Sequence, residues 1–307
     1  MVNNRTLLET ELCDLHLKTP ITTASGTFGF GLEFTDFLDL NNVGAITVKG
    51  TTLHPGPATR DSALLRPSGI LNCVGLENPG VDVFLKETLP QLKAYDTKVI
   101  VNIDGDSAAE YGELAAMLDV DGVDALELNI SCPNVAQGGL AFGTSCSAAA
   151  QVVEAAKKRT HKPIITKLSP NVTDITEIAR AVEAAGTDMI SLINTLVGMK
   201  IDIQTQKPVL GNIMGGLSGP AVRPVAVRMV YQVAQAVKVP LIGMGGITCA
   251  ADAIEFFLAG ASAIAVGTAN FDNPRLAETI SQGIAAYLID HNLKNIRDLV
   301  GKALPNQ

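Results

Sequence analysis

The feature that most constrains the fold is a repeat of short apolar, β-branched runs, each followed by a stretch with helical spacing. Eight runs stand out: Ile21 to Ala24, Ala45 to Val48, Val99 to Ile103, Ala125 to Ile130, Ile164 to Leu168, Met189 to Ile193, Leu241 to Met244 and Ala263 to Val266. Strands alternating with helices pair in parallel, and eight such βα units close into a barrel. The expected fold is an α/β chain, a (β/α)8 barrel of the TIM type, in one domain over residues 1–307. A chain of 307 residues with 47% hydrophobic content can bury the core such a barrel needs.

Helical patterns fall between the runs at Asp106 to Met117, Ser147 to Arg159 and Thr173 to Ala185, the last with Thr173 as its expected N-cap. The connection from Thr195 to Pro220 is long and glycine-rich, which reads as a lid or binding loop rather than a plain βα turn.

The runs end alike, in a polar residue or glycine: Ser25, Lys49, Asn102, Asn129, Lys167, Asn194, Gly245 with Gly246, and Gly267 with Thr268. Active sites of these barrels are built at the carboxyl ends of the strands, so these residues are expected to meet at one mouth. Turn chemistry alone accounts for the glycines and asparagines. It does not account for two lysines, which are seldom buried without a partner.

The fourth run leads into Asn129 to Phe142, NISCPNVAQGGLAF, which reads as the chemical centre. Alternation puts Leu126, Leu128 and Ile130 on one face and Glu127, Asn129 and Ser131 on the other. Pro133 biases Cys132 toward an extended backbone just beyond the strand, and Gly138-Gly139 frees the loop that follows. A lone cysteine is usually a small buried hydrophobe. Here Asn129, Ser131 and Asn134 flank it, and three hydrogen-bonding side chains around one thiol point to a polar ligand.

Gly245-Gly246 and Gly267-Thr268 follow the last two runs, where barrels of this kind hold phosphate on backbone N–H groups, with Thr248 as expected cap of the next helix. No GxGxxG follows a strand, and Gly26 to Gly31 (GTFGFG) has the wrong spacing, so a dinucleotide site is not expected. The phosphate is assigned to a mononucleotide cofactor across the mouth, with Lys167 placed to stabilise charge on a reduced flavin ring. A Schiff-base lysine is the other reading of Lys167. Asn72 to Asn78 (NCVGLEN) reads as a loop suited to an amide- or carboxylate-bearing ligand, with Lys49 supplying positive charge to a small planar anion.

A net charge of −8 and the lack of any Lys/Arg stripe argue against nucleic acid. The N-terminus lacks a signal-peptide core and no stretch suits a membrane span, so a cytoplasmic protein is expected. Cys13, Cys73, Cys132, Cys146 and Cys249 contain no Cys-x-x-Cys pair, which leaves no credible zinc or iron–sulfur site in this chain and no disulfide framework.

Taken together, ASGTFGFG at Ala24 to Gly31, VKG at Val48 to Gly50, NCVGLEN, NISCPN at Asn129 to Asn134 and GGLSGPA at Gly215 to Ala221 closely resemble the class 1 dihydroorotate dehydrogenases, over nearly the whole chain. These are FMN enzymes of pyrimidine biosynthesis on a (β/α)8 barrel. Gly138-Gly139 and Phe142-Gly143 resemble the B form, which is NAD-linked; the fumarate-linked A form differs in that loop, and an FMN barrel resembling dihydropyrimidine dehydrogenase is a further alternative. The resemblance implies FMN on this chain, and a homodimer joined by two electron-transfer subunits carrying FAD and a 2Fe–2S cluster, a heterotetramer overall. It implies FMN contacts at Ser25, Lys49, Gly50, Asn102, Asn129, Lys167, Ile193, Gly219, Gly245, Gly246, Gly267 and Thr268. Substrate contacts are implied at Lys49, Asn72, Cys73, Val74, Gly75, Leu76, Asn129, Asn194 and Thr195. Cys132 is implied as the base that takes a proton from C5 of dihydroorotate while hydride leaves C6 for FMN, giving orotate.

Overall fold

The computed structural model describes residues 4–57, 61–65, 69–131 and 142–305, with the backbone alone for 4, 5 and 61–65. All eight apolar runs are strands: β1 (Ile21–Thr23), β2 (Ala45–Thr51), β3 (Lys98–Ile103), β4 (Ala125–Asn129), β5 (Ile164–Lys167), β6 (Met189–Leu192), β7 (Leu241–Met244) and β8 (Ala263–Val266). Each pairs in parallel with the next and β8 pairs with β1, which closes a (β/α)8 barrel. The register sets Asn102 beside Glu127, Asn129 beside Lys167, and Lys167 beside Ser191, so polar residues of neighbouring strands reach the same level.

Alternation along the strands sorts the side chains between two cores. Val99, Val101, Ile103, Leu126, Leu128, Ile164, Leu168, Ile190 and Leu192 face outward into the main core with the helices. Ala45, Ile100, Ala125, Ile165, Met189, Ile242, Ala263 and Ala265 face inward and fill the barrel. The first strand pair of the chain, Thr10–Leu12 with Leu15–Leu17, is an antiparallel hairpin whose Leu12, Leu15 and Leu17 join that inner core. Apolar residues therefore occupy the amino ends of the strands, and the polar inner residues gather at the carboxyl ends.

The helices start where side-chain caps allow. Ser107 caps Ala108–Met117 and Ser145 caps Cys146–Lys157, each hydroxyl accepting from a backbone N–H three residues on. For the helix Ile175–Ala184 the cap is Asp174, not Thr173: its carboxylate accepts from Thr176 N at 2.8 Å and from the Thr176 hydroxyl at 2.8 Å. An ionised carboxylate is the stronger acceptor of the two neighbours. No α-helix lies between β1 and β2 among the described residues, where the chain makes two 3-10 turns, Leu32–Phe34 and Leu40–Asn42. No helix of the described residues is long and apolar enough to cross a membrane.

Thr195 to Pro220, expected as a loop, holds strands, and Asn72 to Asn78 begins in one before it turns. Leu196–Met199, Met214–Ser218, Gly69–Cys73 and Asp61–Leu65 form a four-stranded antiparallel sheet in that order. Leu71, Cys73 and Leu210, with Leu217 against them, make a small core of its own. The glycines that made Thr195 to Pro220 read as a loop are instead packing positions, since a Cβ on Gly215 would lie 2.5 Å from Leu210 Cδ1.

Candidate active site

The inner polar residues form a connected network at the carboxyl end of the barrel. Lys167 ends β5 and is 5% exposed, and its ammonium crosses the barrel to donate to Ser25 Oγ at 3.1 Å. Glu127 of β4, 3% exposed, lies 3.8 Å from the same ammonium. The carboxylate also accepts from Asn102 Nδ2 at 2.6 Å and from Ser191 Oγ at 2.7 Å. A buried lysine needs a counter-charge, and a buried carboxylate needs its lone pairs filled; this cluster supplies both. Glu127 was legible as a polar-face residue of β4, but nothing in its local sequence marks it as the partner of Lys167.

A second layer stands nearer the mouth. Asn129 donates from Nδ2 to Asp104 Oδ2 at 2.8 Å, and its Oδ1 accepts from Ser131 Oγ at 3.0 Å and Asn194 Nδ2 at 3.2 Å. Its backbone carbonyl accepts from Tyr111 OH at 2.7 Å. Asn194 Nδ2 also bonds Ser131 Oγ, and Asn194 Oδ1 accepts from Thr195 N at 2.8 Å. Every polar atom of the Asn129 amide is thus fixed by the protein, which sets its orientation. Ser131 was expected near a polar ligand as a neighbour of Cys132 and on the polar face with Asn129; Asp104 enters this layer without having been singled out.

The rim brings three glycine-bearing turns together. Gly219, Gly245 and Gly246 have φ of 100°, 132° and 74°. At Gly246 the left-handed backbone is required twice over, since a Cβ there would lie 2.7 Å from Gly219 O. Thr268 Oγ1 donates to Ser218 Oγ at 2.9 Å, tying the turn after β8 to the end of Met214–Ser218. Ile193 N donates to Met244 O at 3.0 Å, and the Ile193 side chain packs beside Gly245. Outside the strand pairings, the N–H groups of Gly245, Gly246, Ile247 and Gly267 donate to no backbone acceptor among the described residues.

Thr248 does not cap the helix Ala250–Leu258. It donates instead, from its N at 2.8 Å and its Oγ1 at 2.7 Å, to Asp252 Oδ2, while Asp252 also pairs with Arg223. Burial raises the Asp252 pKa, but the Thr248 hydrogen bonds and the Arg223 charge outweigh it and hold the carboxyl below its usual range. Asp252 therefore occupies the positive end of this helix, and the free amides lie in the turn before it.

Lys49 is half-buried at the end of β2, and among the described residues its ammonium has no carboxylate partner. Next to it, Leu76 lies over Gly50, where a Cβ would come 2.9 Å from Leu76 Cδ2 and 3.3 Å from Asn102 Oδ1. Asn72 donates to Gly216 O at 3.2 Å. On that face of the sheet stands Thr195, since a Cβ on Gly216 would meet Thr195 Oγ1 at 2.2 Å. Asn72, Thr195 and Asn194 are thereby brought into one chain of contacts.

The rest of NCVGLEN divides. Cys73, adjacent to Asn72 in an extended strand, points to the opposite face and into the small core with Leu71 and Leu210. Val74 is 42% exposed, and Gly75 turns the chain with a φ of 70°. Asn78 closes the loop on itself: Nδ2 donates to Leu76 O at 2.7 Å and Thr52 Oγ1 at 2.9 Å, and Oδ1 accepts from Gly80 N at 2.9 Å. That amide is spent on the backbone rather than offered to a ligand. Cys132, with Pro133, Asn134 and Gly138-Gly139, lies outside the described residues.

The site thus joins a buried ammonium at its base, a ring of oriented amides, the N–H groups of the glycine turns on one side and, on the other, the Lys49 cation, which has no carboxylate partner among the described residues. Residues 7–288 match the family model described as dihydroorotate dehydrogenase. A protein of Desulforamulus reducens called dihydroorotate dehydrogenase B (NAD(+)), catalytic subunit, is 57% identical over 298 residues, 96% of this chain and 98% of that protein. Proteins of the same name from Geotalea uraniireducens and Phocaeicola vulgatus are 52% and 51% identical, over 96% of this chain and 97% and 98% of their own lengths. Family model and relatives both span almost all of the barrel just described, and on that coverage the chain belongs to the dihydroorotate dehydrogenase family.

Proposed function

We propose that this chain is the catalytic subunit of an NAD-linked dihydroorotate dehydrogenase, oxidising dihydroorotate to orotate in pyrimidine biosynthesis and passing the electrons through a partner subunit. The observation that carries the reading is the pairing of a buried Lys167 at the base of the mouth with the left-handed glycine turn Gly245-Gly246 at its rim, whose amides donate to no backbone acceptor outside the strand pairings among the described residues. A phosphate-bearing planar cofactor fits both: the amides and the left-handed turn suit an anion, and the ammonium suits the electron-rich edge of a ring.

The family calls for a flavin, and FMN is the form these residues suit. Gly219, Gly245, Gly246, Gly267 and Thr268 hold its phosphate side, and Ser25, Lys49, Gly50, Asn102, Asn129, Lys167 and Ile193 its ring and ribityl chain. When bound, FMN supplies the acceptor for the hydride lost from C6 of dihydroorotate. Asn72, Asn129, Asn194 and Thr195 orient the substrate, and the backbone from Cys73 to Leu76 closes over it. Lys49 binds the carboxylate, which uracil and thymine lack, so the carboxylated substrate is preferred to either base.

Cys132 removes the C5 proton as a thiolate. An unperturbed thiol titrates at about 8.5, so the proton-accepting fraction grows from neutral to mildly alkaline pH. The electrons leave through a second subunit, to which we assign FAD and a 2Fe–2S cluster; NAD as final acceptor is what the relatives' names support. The chain pairs with itself in this assembly. Val197, Met199, Ile201, Ile203, Ile213 and Met214 are each 47–80% exposed on and beside the mouth sheet, an apolar area suited to burial against a second copy. The enzyme works in the cytoplasm, where its cysteines stay reduced.

The test is anaerobic. Dihydroorotate added to the purified yellow chain bleaches the flavin, NAD restores the colour only when the partner subunit is present, and fumarate does not restore it. Steady turnover of fumarate by the chain alone overturns the NAD assignment; a colourless chain that binds no FMN overturns the flavin assignment.

A further inference from the structure

We infer that Glu127 is a positioning residue for this reaction, setting the charge that Lys167 presents to the cofactor and the direction in which Asn102 hydrogen-bonds. The inference rests on the flavin reading above and extends it to a residue in the layer beneath. Glu127 belongs to β4, two residues before Asn129, and faces the barrel interior. Its carboxylate takes donors from three other strands: Asn102 on β3, Lys167 on β5 and Ser191 on β6.

An ionised carboxylate can only accept, and this decides the Asn102 amide. Asn102 must turn its NH2 toward Glu127, at 2.6 Å, and its Oδ1 away. The Oδ1 atom accordingly faces the end of β2, 3.3 Å from the Cβ position of Gly50. Asn102 therefore offers the mouth an acceptor, suited to an N–H or O–H of the ligand and not to a carbonyl.

The same carboxylate limits Lys167. Buried at 5% exposure, the ammonium has among the described residues one neighbouring hydroxyl, Ser25, and one anion, Glu127 at 3.8 Å. In a low-dielectric site a charge at that distance is strongly felt. Glu127 compensates the ammonium before any cofactor arrives, and afterwards it opposes the stabilisation that Lys167 gives to negative charge on a reduced ring. Without Glu127, Lys167 over-stabilises the reduced form, which then yields its electrons less readily.

A double-mutant cycle with Glu127→Gln and Lys167→Met tests this with two readouts. In the flavin-free chain each single variant lowers the melting temperature and the double variant loses less than the sum; simple additivity overturns the ion pair. In the FMN-loaded chain, Glu127→Gln shifts the flavin midpoint potential to more positive values and weakens FMN binding about tenfold, one charge-assisted hydrogen bond's worth. The potential shift is smaller when Lys167 is already Met. An unchanged potential, or an equal shift in both backgrounds, overturns a role exerted through Lys167. Glu127→Asp keeps the charge but draws it back from Lys167 by one methylene, and moves the potential in the same direction by less; should Glu127→Gln not fold, no movement in Glu127→Asp overturns the proposal. A chain that retains no FMN sinks the flavin reading, and the flavin-free cycle still decides the pair.

Discussion

Lys167 and Ser25 meet across the barrel, the lysine ammonium donating to the serine hydroxyl at 3.1 Å although β5 and β1 lie on opposite sides of the closed sheet. The span is possible because the lysine stem lies among the inner side chains with only its head at the mouth. Lys167→Met leaves Glu127 buried without its counter-charge, at a cost of about 3–5 kcal/mol, and the variant binds FMN more weakly, filling its site when the cofactor is added in excess. Ser25→Ala removes one hydroxyl acceptor and costs about 1 kcal/mol. Urea denaturation and the flavin absorbance of the purified chains check both.

Cysteine chemistry separates two residues close in sequence. Cys132→Ser keeps its flavin but reduces it far more slowly with dihydroorotate, and the wild-type rate of flavin reduction climbs with pH through about 8.5. Cys146 begins the helix Cys146–Lys157, exposed and capped by Ser145, so Cys146→Ala leaves the rate unchanged. Stopped-flow reduction under anaerobic conditions measures all three.

Gly216 of the mouth sheet packs against Thr195, just beyond the end of β6. A Cβ there lies 2.2 Å from Thr195 Oγ1 and 2.7 Å from Thr195 Cβ, so Gly216→Val pushes the strand Met214–Ser218 off Thr195 and off Asn72. The expected outcome is a fall of at least tenfold in kcat/KM for dihydroorotate with FMN content unchanged, because the displaced groups face the substrate side. Equal losses of FMN and activity would count against that division.

Acid sensitivity follows from Asp252. Its folded-state pKa is depressed, so its contribution to stability is fully present above the unfolded value, about 3.9, and drains away as pH falls through the folded value. Asp252→Asn lowers stability by about 1–3 kcal/mol at neutral pH, since Thr248 and Arg223 lose their ionised acceptor, and the difference from wild type narrows in acid. Melting temperatures of both proteins from pH 3 to pH 7 show the convergence.

In the self-pairing proposed above, the apolar residues on and beside the mouth sheet form the contact between copies. Ile203 is 80% exposed and Met199 47% exposed, and a charge at either position disfavours burial of that face. Met199→Glu with Ile203→Glu shifts the chain from dimer to monomer in sedimentation velocity while its melting temperature stays close to wild type.

The barrel was written into the order and alternation of the apolar runs. Strand identity depends on a two-residue alternation and βα order on the spacing of the runs, both local properties; hence all eight strands, and the division of Leu126 and Leu128 from Glu127 and Asn129 between two faces, were legible in the sequence. The strand-end residues were legible for the same reason, since closure of a parallel barrel sends every carboxyl end to one mouth. Only the tertiary structure decided the pairings. Gly69–Cys73 forms a sheet with Met214–Ser218, a partner far along the chain that no local period announces, and this pairing turns Asn72 toward Thr195 and buries Cys73 behind it. Asp252 took the helix end that Thr248 was expected to cap, because Arg223 arrives from another helix to neutralise it. Glu127 acquired its meaning in the same way: a carboxylate on one strand matters here through the lysine, the amide and the hydroxyl that three other strands bring to it.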